Sequence, residues 1–149
     1  MLQVGSARTR ITPPLGTLLA GNAGLKREAS GILDHLYAKA LVLSDGESTI
    51  AVVSCDVIGV DRSFTERIRS MATAETDIPA DRILITATHT HTGPQTIDVF
   101  RDKDEEYVAT FEKQVVSAIR LARADLTPGR ISTSQGTEPT LAFNRRILT

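Results

Sequence analysis

The chain has 149 residues, the length of one domain, with 41% hydrophobic and 23% charged residues and a formal net charge of −1. With 17 basic against 18 acidic residues there is no polycationic footprint for nucleic acid, and 4% aromatic residues is too few for a base-stacking platform. A single cysteine, Cys55, excludes an intramolecular disulfide and a cysteine-rich zinc motif.

The longest weakly charged apolar stretch, residues 48–60, contains Asp56 and falls short of the ~20 apolar residues a membrane-spanning helix needs. No apolar run of signal-peptide type follows Arg8 and Arg10. Export is not encoded in these residues, and a cytoplasmic location is the default expectation.

Residues 1–11 suit a first short strand, ended at Thr12-Pro13-Pro14 because proline removes a backbone donor and fixes φ. Residues 17–30, rich in glycine and alanine, read as a long loop of the kind that often carries function. Leu36–Leu43 is a strand, Asp45-Gly46 the tip of a hairpin, and residues 48–57 the partner strand. The run Ile50-Ala51-Val52-Val53 lacks alternation, which suits a strand buried on both faces.

Asp61 or Ser63 caps a helix running to about Ala74, with Phe64, Ile68, Met71 and Ala72 on one stripe. Residues 82–88 form another apolar strand. A second helix spans Asp104 to Ala124, acidic in its first turn and basic in its last, as the helix dipole prefers. Pro128 closes it. A last strand is expected over Arg130–Gln135, and Leu141–Leu148 begins a further element. This order predicts a single α/β domain over residues 1–149, a mixed β-sheet with helices packed on it and a parallel crossover from residue 48 to residue 88.

Two of the three histidines sit in Thr88-His89-Thr90-His91-Thr92-Gly93-Pro94, directly after an apolar strand. Residues two apart on an extended chain face the same side, so His89 and His91 point together. The C-terminal end of a buried strand is where open α/β sheets bind ligands. Imidazole is a good zinc ligand. Either both histidines bind one metal, or one binds it and the other contacts substrate, or both are solvated at a strand end.

Asp56 ends the neighbouring strand, where a carboxylate either orients a histidine N–H as an outer partner of the metal or caps a helix. Cys55 beside it reads as a small buried hydrophobe. His35 is a further candidate ligand or a half-buried histidine before a strand. Asn144-Arg145-Arg146 places an arginine where it clamps a carboxylate or oxyanion, or simply ends in solvent.

The order and spacing of Ile11-Thr12-Pro13-Pro14-Leu15-Gly16, Gly31-Ile32, Leu36–Leu43, Val53-Ser54-Cys55-Asp56, the His-Thr-His-Thr-Gly-Pro segment and Phe143-Asn144-Arg145-Arg146 resemble the N-terminal part of the neutral/alkaline (non-lysosomal) ceramidase family, especially its shorter bacterial members. The resemblance covers essentially the whole chain. It implies a zinc-dependent amidase that cleaves the N-acyl bond of ceramide, a lipid amide, to give sphingosine and a fatty acid. It makes His89 a zinc ligand and His91 the neighbour that binds or polarises substrate, and it places Arg145 close to the site.

The family's other zinc ligands (a histidine, a glutamate and a tyrosine) come from regions downstream of anything here. The expectation is therefore an N-terminal fragment with an incomplete site and a surface open to self-association. Two other readings remain. An amidohydrolase-type metallohydrolase also places His-x-His after a strand, but its eight-stranded barrel is at odds with the Asp45-Gly46 hairpin. A truncated, non-catalytic chain is the other.

Overall fold

Three successive strands form an antiparallel meander. β1 is Gln3–Arg10, β2 Tyr37–Ser44 and β3 Thr49–Cys55. In a computed structural model that describes residues 1–21, 26–99, 101–142 and 146, β1 pairs with β2 from Gln3↔Ser44 to Arg10↔Tyr37, and β2 with β3 from Ala38↔Cys55 to Ser44↔Thr49. The β2–β3 turn forms at Asp45-Gly46. The Asp45 carboxylate accepts from the backbone N–H groups of Glu47 and Ser48, and Gly46 takes a φ of +100°.

From β3 the chain crosses through helix α1, Arg62–Thr76, and returns in β4, Ile83–Ala87, parallel to β3. A 3-10 turn over Ala80–Arg82 leads into β4. Helix α2, Glu105–Ala124, follows. A two-residue strand β5, Thr127–Pro128, pairs with Gln3 and Val4. The sheet order is β4-β3-β2-β1-β5, a five-stranded mixed sheet with two helices packed on it, as the element order predicts.

The core lies between one sheet face and the two helices. Ala38, Ala40 and Val42 of β2, Ala51, Val53 and Cys55 of β3, and Ile83 and Ile85 of β4 point into it. They meet Phe64, Ile68 and Ala72 of α1 and Phe111, Val115, Ile119 and Ala122 of α2. Phe111 is the centre of the aromatic packing, stacked at 4.7 Å on Phe64 and 5.9 Å from Tyr107.

Two expectations are corrected. β3 is buried on one face only, because no layer covers the other side of the sheet among the described residues. On that open side the register lines up Val4, Leu43 and Ile50 in one row and Leu41, Val52 and Leu84 in the next. Leu41, Ile50 and Leu84 remain 39–52% exposed. The last strand is not at Arg130–Gln135 but at Thr127–Pro128, since α2 stops at Ala124 and the chain meets the β1 edge at once. Proline is tolerated there because its missing N–H belongs to an edge strand. The element expected from Leu141 falls largely on residues 143–145 and 147–149, outside the described residues.

Asp61 locks the entry to α1. One carboxylate oxygen accepts from Phe64 N–H and Ser63 Oγ, both at 2.7 Å, and the other from Lys103 Nζ at 3.0 Å. Burial acts to raise its pKa, but these hydrogen bonds and the lysine charge outweigh that and hold the carboxyl at about 2. A carboxyl depressed on folding stabilises the protein above the ordinary aspartate range of ~4, and that contribution disappears as pH falls through about 2.

Urea titrations between pH 5 and 2 are expected to show Asp61→Asn losing less stability on acidification than the parent, because asparagine caps the helix without titrating. In the core, Phe111→Ala is expected to cost ~3–5 kcal/mol in urea unfolding at neutral pH, the range for deleting a buried aromatic ring.

Candidate active site

The parallel pairing of β3 and β4 continues beyond the strands: Thr88 N–H donates to Cys55 O at 2.9 Å and His89 N–H to Val57 O at 3.0 Å. His89 then turns into the left-handed region, with a φ of +64°. An extended chain therefore does not bring the two histidines together. The strand stops at Ala87, and a kink at His89 folds the next residues back. Non-glycine residues in this conformation are costly and collect at functional sites.

The result is convergence. His89 Nε2 and His91 Nε2 stand 3.3 Å apart, with ring centroids at 5.0 Å and planes at 72°. Both side chains are exposed. His89 Nδ1 lies 2.7 Å from the carbonyl oxygen of Ile58. A carbonyl only accepts, so Nδ1 carries the proton, and in the neutral form of the ring the lone pair lies on Nε2, the atom that faces His91. That tautomer is the one a metal ligand needs, and the carbonyl is the kind of outer partner that fixes it.

The shelf under His89 is itself anchored. Thr96, buried, donates from Oγ1 to Gly59 O at 2.7 Å, next to the carbonyl that holds His89. Gln95, also buried, directs its side-chain amide at the carbonyl oxygens of Ile97, Val99 and Arg101 and so shapes the loop after the motif. Sequence reasoning missed all three supports. A backbone carbonyl has no sequence signature, and Gln95-Thr96 after Gly-Pro looks like ordinary loop.

Asp56 sits at the end of β3 as expected, but its carboxylate points along the sheet. It accepts from Tyr37 N–H at 3.0 Å and pairs with Lys39 Nζ at 3.0 Å. The outer-partner position at His89 belongs to Ile58 O instead. His35 lies across the sheet end, with Nδ1 3.1 Å from Thr12 Oγ1, which also accepts from Leu36 N–H. Arg145 lies outside the described residues.

Two imidazole ligands on a tetrahedral zinc at ~2.0–2.1 Å are separated by roughly 3.4 Å. The 3.3 Å between the two Nε2 atoms matches that edge, so the pair fits a zinc ion. Among the described residues no third histidine, cysteine, aspartate or glutamate joins them.

Two clefts open among the loops, and neither is lined by His89 or His91. One of 290 Å³ takes in Thr92 of the motif and is walled mainly by Pro13, Leu19, Ile32, Leu33 and Leu36. Another, of 520 Å³, lies between Arg10–Thr17 and the first turns of α2 and includes neither histidine.

Cys55, fully buried, is no nucleophile. Burial, aided by the Asp56 charge, pushes its thiol up to about 12. A thiol reagent at pH 8 is expected to leave the native protein unlabelled over the time in which the urea-unfolded chain reacts at its one cysteine. Rapid native labelling would show that the β3–β4 core opens.

The fold is similar to two solved structures. One is the neutral ceramidase from Pseudomonas aeruginosa, with a TM-score of 0.76 at 22% identity. The other is described as ceramidase complexed with C2, with a TM-score of 0.76 at 21% identity. Each match covers 87% of this chain and 22% of the other, so this chain spans about a fifth of the length of those proteins. The family model for neutral/alkaline non-lysosomal ceramidase, N-terminal, matches residues 2–148. The chain belongs to the neutral/alkaline non-lysosomal ceramidase family.

Proposed function

We propose that residues 1–149 are the N-terminal portion of the catalytic domain of a zinc-dependent hydrolase that cleaves a linear amide, the N-acyl bond of a ceramide-like lipid. His89 serves as a zinc ligand and His91 as the side chain that meets the substrate amide. Arg145 is assigned to the same site as a clamp for the substrate's oxygen. The observation that carries this reading is the convergence of the two Nε2 atoms at 3.3 Å, with His89 Nδ1 tied to Ile58 O. Family membership supports the reaction class.

Zinc bound here supplies a Lewis acid for the amide carbonyl and lowers the pKa of water. The protein's own groups do the rest. The Ile58 carbonyl holds the His89 proton on Nδ1 and keeps Nε2 available as a ligand. His91, exposed beside it, presents Nε2 within hydrogen-bond reach of a group held at the same point, so it can bind the amide oxygen or exchange a proton with the reacting water. The cleft walled by Pro13, Leu19, Ile32, Leu33 and Leu36 next to Thr92 offers apolar surface for an acyl chain. The remaining ligands of a closed zinc site would come from outside these residues, since among the described residues no third histidine, cysteine, aspartate or glutamate joins the pair.

His89→Ala in the full-length protein that contains these residues is expected to abolish zinc retention and to lower hydrolysis of an N-acyl amide by more than ~100-fold, beyond the loss typical of an outer-shell partner. Its circular dichroism should remain that of the parent. An active variant with normal zinc content would overturn the assignment.

A further inference from the structure

We infer that Gly21 is a positioning residue for His91. It carries no reacting group, and it acts by letting the backbone of His91 come close enough for the imidazole to meet that of His89. Its role is tied to the reading of the two histidines as the metal and substrate pair, which the experiment below tests separately.

Gly21 takes a φ of +91°. A side chain there would place its Cβ 2.4 Å from His91 Cβ, 2.5 Å from Cγ and 2.6 Å from Cα. Real Cβ atoms essentially never approach so closely. Because His91 Cα is among the atoms struck, no rotamer of the histidine relieves the clash; the backbone itself must move. A sub-ångström shift there is enough to change an Nε2–Nε2 separation of 3.3 Å.

The contact cannot drift apart, because the segment before Gly21 is strapped to the motif. Ala20 N–H donates to Gly93 O at 2.9 Å and Gln95 N–H to Leu18 O at 3.1 Å, with Leu19 bridged to Pro94. Ala20 is 1% exposed. The strap thus runs alongside residues 93–95 and delivers Gly21 against His91. Each histidine has its own setting contact, His89 the Ile58 carbonyl and His91 the missing side chain at position 21.

Gly21→Ala tests this, with Gly46→Ala as control. Gly46 has the same left-handed backbone, φ +100°, with nothing within 4 Å of the added Cβ. The control therefore reports the cost of the backbone conformation alone. Two readouts apply to the full chain. The first, in metal-free protein, is the ring-to-ring NOE between His89 and His91. The second is affinity for Co²⁺, followed by its absorption bands.

The expected result is loss of the NOE and about tenfold or weaker Co²⁺ binding in Gly21→Ala, the scale of losing an outer support of a metal site, with both readouts unchanged in Gly46→Ala. Parent NOE and Co²⁺ affinity in a folded Gly21→Ala would overturn the proposal. Should Gly21→Ala fail to fold, Ala20→Pro removes the N–H that ties the strap to Gly93 O. A weakened NOE and affinity are then expected, and parent values would overturn the proposal. A parent chain that binds no Co²⁺ but loses its NOE in Gly21→Ala would leave Gly21's role standing on the NOE alone, independent of the metal reading.

Discussion

Everything at the histidine pair depends on the parallel ladder between β3 and β4 and on its continuation past both strands. The bonds from Thr88 to Cys55 and from His89 to Val57 carry the two chains forward side by side. They place the Ile58 carbonyl within 2.7 Å of the His89 ring. A parallel pair ends with both chains at the same edge of the sheet, and that edge is where ligands reach open α/β sheets. Had β4 run antiparallel to β3, the residues after the two strands would lie at opposite ends.

The one-sided core reinforces this arrangement. Two helices cover one face, and their apolar stripes meet a floor of small residues on β2 and β3, chiefly Ala38, Ala40 and Ala51. Small residues let α2 approach closely, and the volume is restored by Phe64, Phe111 and Ile119. Tyr107 of the same helix donates its hydroxyl to Ile11 O at 2.5 Å. This pins the segment after β1, which continues through Thr12 to the strap over the motif. α2 thus connects the packing of the core to the loops that frame the site.

The site is built mostly of backbone. Imidazoles are set by a carbonyl, by a glycine contact and by loops whose own carbonyls are gathered by Gln95 and Thr96. Such a frame rests on hydrogen bonds between segments far apart in sequence. It also explains why Asp56, the charged neighbour best placed in sequence, plays no part in orienting His89. The hydrogen bond to Tyr37 N–H and the pair with Lys39 are geometrically nearer to the end of β3.

Several features were legible from residue order alone. Hydrophobic periodicity and caps delimit α1 and α2 to within two residues, because Asp61 and Asp104 sit immediately before their stripes. Asp-Gly marks the hairpin, since few other residues suit that turn. The His-Thr-His-Thr-Gly-Pro segment after an apolar strand marks the candidate site and, with the flanking motifs, the family. Tertiary structure decided the rest. Alternation at β3 was masked because Ile50 and Val52 face an open but apolar side. The β1 edge, not local propensity, selected Thr127–Pro128 as the last strand. The histidines converge through a kink at His89 and a contact with Gly21, both of which depend on segments far apart in sequence. Residue order states which groups are available; only long-range pairing sets the distances between them.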